Sequence, residues 1–360
     1  MILKSLELQD FRNYRIQALA FDDRVNIIYG KNAQGKTNLL EAAYLCCTSK
    51  SYKGSPDREM IRFDCEESHI KTVVQRQNDS QRIDIHLRKG ARKVISINKT
   101  PVKRAADLLG ILNIIFFSPE DLNIIKSSPQ RRRSFMDTEL CQLDRIYLSD
   151  LGHYNRILTQ RGQLLKDMYY HPELKETLDV WDAQLVDYGS RIIERRKEFL
   201  EELAPVILDM HYRISGKREE LRISYECSAT AEDFADKIRR SRDRDEKLAQ
   251  TTVGPHRDDI LFMIGGVDVR KFGSQGQQRT CALSLKLSEI YLVGKRIHDT
   301  PILLLDDVLS ELDSQRQNLL LDNLNRTQTI ITCTGMDEFV KNRFSVDKVF
   351  EVVDGNVTEK

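Results

Sequence analysis

The octapeptide GKNAQGKT, residues 30–37, constrains the fold more than any other stretch of this 360-residue chain. It matches G-x-x-x-x-G-K-[ST], and it lies between a strand-like segment, VNIIY, and a helix-like segment, NLLEAAYL. The glycines let backbone N–H groups turn toward phosphate oxygens, and the following helix N-terminus adds partial positive charge. The motif predicts a phosphate-binding loop in which Lys36 reaches the β- and γ-phosphates and Thr37 binds Mg²⁺.

A second segment supplies the carboxylates that such a loop needs. Residues 302–305 form a short apolar run, as expected for a buried parallel strand, and two aspartates follow it directly. Asp306 is placed to bind Mg²⁺, and Asp307 is placed to polarise a water molecule that attacks the γ-phosphate. We therefore predict ATP and Mg²⁺ as cofactors, with Lys36, Asp306 and Asp307 as catalytic residues and Thr37 and Asp306 as metal ligands.

The order of strand-like and helix-like segments predicts an α/β fold interrupted by a helical insertion. Strand-like and helix-like segments alternate in residues 1–125 and again in 251–360, whereas long helix-like segments dominate 126–250. We interpret the two outer parts as one discontinuous domain and the middle part as a helical insertion domain. Its apolar residues recur at intervals of three and four but not in sustained heptads, which favours a compact arm over a long coiled coil.

Composition limits the class of protein without naming a partner. The chain has 56 basic and 55 acidic residues, so any basic surface must arise locally. Seven scattered cysteines without a C-x-x-C pair indicate neither a zinc site nor a disulfide framework. The N-terminus lacks an apolar signal segment, and the longest apolar runs are too short to span a bilayer. We expect a cytoplasmic protein without a membrane anchor.

Three segments together resemble the motif set of ABC-type ATPases. Residues 30–37 resemble Walker A, 273–278 the signature motif, and 303–313 Walker B with the D-loop, while FRNY at 11–14 resembles the N-terminal motif of the SMC and Rad50 branch. The resemblance implies an ABC-type P-loop ATPase head, with a mixed sheet and an antiparallel β subdomain, and an inserted helical arm. The nucleotide-binding residues that it implies are Gly30, Lys31, Asn32, Ala33, Gln34, Gly35, Lys36, Thr37, Asn38, Arg12 and Asn13. The signature residues Ser274, Gln275, Gly276 and Gln277 would act on the nucleotide of a second copy, beside the D-loop residues Ser310 and Asp313.

A finer resemblance runs along the chain from residue 8 to residue 313. The segments LQDFRNY, GKNAQGKTNLLEA, FFSPEDL, SPQRRRSFMD, TTVGPHRDDI, SQGQQRT and LLLDDVLSELD are similar to those of the RecF family of bacterial DNA recombination and repair ATPases. This implies an ATP-dependent head-to-tail homodimer that binds gapped or single-strand/double-strand junction DNA without sequence preference. It also implies loading of RecA with RecR and RecO, support of replication restart and SOS induction, and a location at the bacterial nucleoid.

Three departures from a typical transporter ATPase indicate slow turnover. Asp307 stands where glutamate is usual, Thr334 stands at the position of the switch histidine, and residues 118–120 are Ser-Pro-Glu where a Q-loop glutamine is expected. A shorter carboxylate and an uncharged switch side chain hold water and γ-phosphate less well. We therefore expect a weak, DNA-stimulated ATPase whose hydrolysis step resets the dimer.

The basic residues that are candidates for DNA contacts have two interpretations. They are either phosphate contacts or ordinary solvated charges interleaved with acidic residues. The candidates are Arg88, Lys89, Arg92, Lys93, Lys103 and Arg104.

The motif GPHRDD at 254–259 also has two interpretations. It forms either a hydrogen-bonded turn or a contact with a second subunit or with the nucleotide. His256 in that motif has no ligand-spaced partners, so we do not assign a metal site to it.

Two other functions are compatible with the same motifs. The chain is alternatively an ATPase subunit of a nuclease or transport complex, or a nucleotide-stabilised DNA-binding module without significant turnover. Turnover with and without gapped DNA distinguishes these classes.

Overall fold

A computed structural model describes residues 1–76, 79–314, 316–318, 320, 327–335 and 347–360. It divides into two compact units, which we call the head unit, residues 1–121 with 289–360, and the helical unit, residues 122–288. Among the described residues, the strands are β1 Ile2–Phe11, β2 Tyr14–Ala20, β3 Val25–Tyr29, β4 Glu67–Arg76, β5 Asp79–Arg88, β6 Val94–Ile97, β7 Thr100–Pro101, β8 Ile114–Phe117, β9 Leu221–Glu226, β10 Asp259–Ile264, β11 Val267–Asp268, β12 Ile302–Asp306, β13 Thr329–Cys333, β14 Lys348–Val353 and β15 Asn356–Glu359.

The helices whose bounds lie within the described residues are α1 Lys36–Thr48, α2 Asp57–Met60, α3 Leu122–Lys126, α4 Pro129–Leu143, α5 Arg145–Asp167, α6 Leu178–Ile214, α7 Phe234–Leu248, α8 Val269–Phe272 and α9 Gln275–Ile297. The division between the two units falls within α9. In the part of the chain that the structure describes, none of these helices combines the length and apolarity needed to cross a bilayer.

A mixed sheet forms the centre of the head unit. Its strand order is β15-β14-β3-β13-β12-β8, and every pairing is parallel except that between β14 and β15. All five residues of β12 and of β13 are buried, which explains why both strands read as unbroken apolar or β-branched runs. Because β3, β13 and β12 are neighbours and parallel, their carboxyl ends meet at one edge of the sheet.

An antiparallel sheet completes the head unit. Its order is β2-β1-β4-β5-β6-β7, and the alternating burial of β4 and β5 matches a sheet with one face toward the core. Helix α1 packs against strands of both sheets, and apolar residues of β1, α1 and β12 belong to one core cluster. The predicted ABC-type head, with a mixed sheet and an antiparallel β subdomain, is confirmed.

The helical unit is built around the long helices α5 and α6, which pack on each other. It also contains a three-stranded antiparallel sheet in the order β11-β10-β9. This arrangement differs from the predicted domain boundaries, because β10 pairs with β9 and so draws residues 251–288 into the helical unit. This pairing could not be predicted from the pattern of segments, because β9 is a single short strand inside an otherwise helix-like region.

Buried arginines order the interior of the helical unit. The Arg161 side chain is fully buried and donates to Asp182 at 2.7 Å, to Asp245 at 2.8 Å and to Thr251 at 2.8 Å. Desolvating such charges is costly, and only the paired carboxylates and added hydrogen bonds offset that cost. The pairs therefore specify how α5, α6 and α7 meet more than they add to stability.

The GPHRDD motif lies in this polar interior. His256 accepts from the Tyr154 hydroxyl through Nδ1 at 2.7 Å and donates to the Thr251 carbonyl through Nε2 at 3.0 Å. The carbonyl can only accept, so Nε2 carries the proton. Asp258, fully buried, accepts from the Ser228 N–H at 2.8 Å and from the Tyr225 hydroxyl. These contacts support the hydrogen-bonded turn among the two interpretations of the motif.

The His256 environment predicts acid sensitivity of the helical unit. Burial lowers the pKa of His256 from 6.5 to about 4. The unfolded chain therefore takes up a proton that the folded chain excludes, so this stabilisation is complete above pH 6.5 and is lost as pH falls toward 4. We expect His256 to account for a loss of about 2 kcal/mol between pH 8 and pH 5.

Urea unfolding followed by fluorescence of Trp181, the single tryptophan of the chain, measures this loss within the helical unit. A His256→Gln variant keeps a donor but does not titrate, so its stability should change less between pH 8 and pH 5. An equal change in both proteins contradicts the prediction.

Candidate functional site

The phosphate-binding loop connects β3 to α1 and has two positions that only glycine tolerates. Gly35 has φ +111°, and a Cβ there would lie 2.4 Å from Asn13 Nδ2. A Cβ on Gly30 would lie 2.4 Å from the Val352 carbonyl oxygen. Gly35 is also the N-cap of α1 and has no side chain to occupy the first N–H groups of the helix. The loop therefore fits an anion at the N-terminus of α1.

Lys36 lies over this loop. Its Nζ donates to the carbonyls of Gly30 at 2.5 Å and Lys31 at 2.9 Å, and the residue is 7% exposed. Burial lowers the pKa of Lys36, and the nearby negative charge of Asp307 opposes that shift. A bound phosphate would act in the same direction as Asp307, so phosphate binding and the charged form of Lys36 favour each other.

The predicted magnesium ligands meet at the carboxyl edge of the sheet. Thr37 Oγ1 donates to Asp306 Oδ1 at 2.9 Å across 269 residues of sequence. Thr332 Oγ1, at the end of β13, donates to the same oxygen at 2.7 Å. The Tyr52 hydroxyl is also hydrogen-bonded to Asp306, and burial raises the pKa of Tyr52. One carboxylate and one hydroxyl are hard oxygen ligands of the type that Mg²⁺ prefers, so the residues fit this ion.

Asp307 occupies a strained turn next to these ligands. Its φ is +55°, and its N–H donates to Thr332 Oγ1 at 3.0 Å and to the Thr332 carbonyl at 3.2 Å. Ser310 Oγ donates to the Asp307 carbonyl at 2.7 Å. Asp313 accepts from the Arg316 N–H at 3.0 Å. The predicted D-loop serine therefore holds the turn that carries the predicted catalytic carboxylate.

The N-terminal FRNY motif braces the phosphate-binding loop. Asn13 Nδ2 donates to the Gln34 carbonyl at 2.9 Å, and Asn13 Oδ1 accepts from Asn38 Nδ2 at 2.9 Å. The Tyr14 hydroxyl donates to the Gly35 carbonyl at 2.9 Å. These bonds hold the end of the loop that leads into α1, so Asn13 and Asn38 lie at the loop as expected.

Arg12 is held by a buried carboxylate of α1, and its predicted contact with the nucleotide stays a prediction. Its guanidinium pairs with both oxygens of Glu41 at 2.8 and 2.9 Å and donates to Ser55 Oγ at 2.9 Å and to the Glu59 carbonyl at 2.8 Å. Glu41 is fully buried in α1 and also accepts from Ser51 Oγ at 2.5 Å. Arg12 thereby neutralises a buried carboxylate in the helix that begins with Lys36.

The predicted signature segment caps α9. The Ser274 N–H donates to Gln277 Oε1 at 2.8 Å, and the Gln277 N–H donates to Ser274 Oγ at 3.2 Å. This reciprocal pair is a capping box. It explains why a polar Ser-Gln-Gly-Gln run begins a largely buried helix, and it leaves the Ser274 hydroxyl proton available to a further acceptor. The action of this segment on a second copy stays a prediction.

The predicted switch, Q-loop and DNA-contact residues are either exposed or held in ion pairs. Thr334 is exposed directly after β13, and Glu120 is exposed after β8. Among the basic candidates, ion pairs join Arg88 to Glu67 at 3.5 Å, Lys89 to Glu66 at 3.3 Å and Lys93 to Asp57 at 2.8 Å. Arg92, Lys103 and Arg104 are exposed.

Sequence reasoning missed Thr332, Tyr52 and Glu41. The register places Thr332 beside Asp306, so the polar end of the TIITC strand was a usable signal once the two strands were paired. Tyr52 lies in the segment after α1 and has no spacing that marks it. Glu41 is masked by its position in an otherwise apolar helix.

Comparison with known proteins places this geometry in a family. The family model described as RecF/RecN/SMC N terminal domain matches residues 2–358. The chain is 62% identical over 357 residues to the DNA replication and repair protein RecF of Agathobacter rectalis, covering 99% of both proteins. It is 55% identical over 362 residues to the RecF of Lachnospira eligens, covering 100% of both.

Solved structures agree at the level of the whole chain. The recombination mediator protein RecF, described as RecF-ATP in the RecFOR pathway, matches with a TM-score of 0.93 and 36% identity over 99% of this chain and 97% of that chain. An SMC head bound to the C-terminal winged-helix domain of ScpA matches with a TM-score of 0.58 and 16% identity over 100% of this chain and 97% of that chain. The second likeness shows the fold alone.

The Arg12–Glu41 pair predicts a specific stability effect. Arg12→Ala leaves the buried Glu41 carboxylate without its countercharge, and breaking such a pair costs about 3 kcal/mol. Replacing both residues with leucine removes the charge as well as its partner and should restore most of the loss. Hydrogen exchange of α1 peptides, measured by mass spectrometry, reports the free energy of opening of the head unit. Equal protection in wild type and Arg12→Ala contradicts this account.

Proposed function

The chain belongs to the RecF family, and on that premise we propose that it is an ATP-controlled DNA-binding protein of recombinational repair. The observation that carries the proposal is the hydrogen bond between Thr37 and Asp306. It joins the phosphate-binding loop to the aspartate at the end of β12. Its relatives are named DNA replication and repair proteins, and the RecF-ATP structure supports nucleotide binding.

The phosphate-binding loop holds ATP by its backbone and by Lys36. The N–H groups at the start of α1 and the Lys36 ammonium face the phosphates, while Asn13 and Tyr14 keep the loop in shape. Thr37 and Asp306 would hold Mg²⁺. That ion, when bound, neutralises charge on the β- and γ-phosphates.

Hydrolysis depends on the carboxylate of Asp307. This group orients and polarises the attacking water, and the left-handed turn bonded to Thr332 fixes its backbone. Aspartate is one methylene shorter than the usual glutamate, so the water is held less well. Turnover is therefore slow, and DNA binding stimulates it by improving the alignment of these groups.

ATP acts as a switch for dimerisation. In the head-to-tail dimer, Ser274 and the N-terminus of α9 contact the γ-phosphate bound by the partner, so nucleotide favours the dimer only through that contact. A shift from mostly open to mostly closed needs a preference of about 5.5 kcal/mol. Hydrolysis removes the γ-phosphate and the preference with it.

The dimer binds gapped or junction DNA without reading sequence. Exposed Arg92, Lys103 and Arg104 follow the outer strands of the antiparallel sheet and contact DNA phosphates. In this role the protein assists RecR and RecO in loading RecA, and it supports replication restart and SOS induction. The protein acts in the cytoplasm, at the nucleoid.

Lys36→Met tests the nucleotide site. The substitution keeps an apolar stem of similar length but removes the ammonium from the phosphate-binding loop. We expect ATP affinity, measured by equilibrium dialysis with Mg²⁺ present, to fall at least about 100-fold, because a charge-assisted phosphate contact contributes roughly 3 kcal/mol. Lys50→Met is a matched control, because Lys50 is exposed beyond the end of α1 and lies outside the phosphate-binding loop. Wild-type affinity in Lys36→Met would refute the assignment.

Ser274→Arg tests the proposed contact with a second copy. A long cation at the α9 N-cap removes the capping hydroxyl and blocks the partner's nucleotide, while the head unit's own loop is unchanged. We expect normal ATP binding and no ATP-dependent dimer in sedimentation velocity. Ser274→Thr retains the cap and should still dimerise, and an ATP-dependent dimer of Ser274→Arg would count against the signature assignment.

A further inference from the structure

Two histidines and a glutamate converge on the antiparallel sheet of the head unit, away from the motifs described above. His69 on β4 and His86 on β5 are directly opposite each other in the strand register, and Glu67 lies two residues before His69 on the same strand face. The ligand atoms of the three side chains all lie within 4.8 Å of one another. A carboxylate and two imidazoles thus project from two neighbouring strands.

The separations are those of a metal site. Glu67 Oε2 lies 3.0 Å from His86 Nε2, and Glu67 Oε1 lies 3.8 Å from His69 Nε2. In tetrahedral zinc coordination, ligand atoms about 2.05 Å from the metal are about 3.4 Å apart. The two observed distances bracket that value, so the ligand atoms are close enough to share one ion after the side chains reorient.

The two imidazoles are stacked face to face. Their rings stack with centroids 3.9 Å apart and planes inclined by 19°. An imidazole binds a metal in the plane of its ring, so one ring must turn out of the stack for both to bind one ion. Neutral imidazole is the form that binds a metal.

Arg88 and Glu67 compete for the same ring nitrogen of His86. Arg88 Nε lies 3.3 Å from His86 Nε2 as a donor, which requires a lone pair on that nitrogen. Glu67 Oε2, 3.0 Å from the same nitrogen, instead requires a proton there. A divalent cation accepts the Nε2 lone pair and the carboxylate together. The Arg88 side chain is 55% exposed, so it can turn into solvent.

We propose that Glu67, His69 and His86 form a Zn²⁺ site on the face of this sheet. Two imidazoles and one carboxylate suit zinc, and three protein ligands leave a fourth position for water or an exogenous group. His69 and His86 also line a concave region of about 560 Å³, which gives that fourth ligand room. The basic residues that line this region form ion pairs, Lys71 with Glu7 and Arg82 with Asp84. The ion would link β4 to β5.

Zinc titration of the full chain tests this site. Isothermal titration calorimetry, after chelator treatment and with excess Mg²⁺ present, should give one Zn²⁺ per chain. His86→Asn should lower that affinity at least about tenfold, as loss of groups that support a metal site typically does. The matched control is His171→Asn, because His171 pairs with Glu173 at 3.1 Å on an exposed surface. Circular dichroism checks that each variant is folded.

Cobalt distinguishes the proposed ligands from the cysteines. Co²⁺ bound by nitrogen and oxygen should give visible d–d bands that His86→Asn loses and His171→Asn keeps. Absence of stoichiometric Zn²⁺ binding, equal affinity in wild type and His86→Asn, or a thiolate charge-transfer band would overturn the proposal. In the first two outcomes the cluster is a hydrogen-bonded group of Glu67 and histidine without a metal ion.

Discussion

The hydrogen bond between Thr37 and Asp306 is the contact on which the candidate site depends. It joins two groups 269 residues apart, and it exists because β3, β13 and β12 lie side by side in a parallel sheet. The buried apolar strands set that order, and their carboxyl ends then present Lys36, Thr37, Asp306 and Asp307 at one edge. Thr332, on the strand between, bonds to both aspartates and fixes their relative positions.

The antiparallel sheet contributes to the same site through the start of the chain. β1 leads into the FRNY motif, whose Asn13 and Tyr14 bond to the phosphate-binding loop and whose Arg12 pairs with buried Glu41 in α1. Gln328, just before β13, also bonds to both the N–H and the carbonyl of Leu3. The loop is therefore held from both sheets.

Much of the head unit could be predicted because its signals are local. The loop motif, the apolar run before Asp306 and the helix-like segment after Lys36 each specify one element and its end. Tyr52 and Arg12 could not be assigned in this way, since their roles depend on which carboxylate the fold brings to them. The same limit explains why the bounds of the helical unit were not predicted. The pairing of β10 with β9 joins segments that the sequence pattern assigns to different domains. The Ser274 capping box could be read from its S-x-x-Q spacing, yet that spacing does not reveal whether a phosphate also binds there.

Nucleotide control of DNA binding is the central proposal for this protein. The direct measurement is the affinity of the full chain for gapped DNA with Mg-ATP and with Mg-ADP, each at two salt concentrations. Binding should be markedly tighter with Mg-ATP, and raising the salt should weaken it, because phosphate contacts release counterions. Fully double-stranded DNA of the same sequence gives the reference for gap preference. Equal affinity with ATP and ADP at both salt concentrations would contradict the claim.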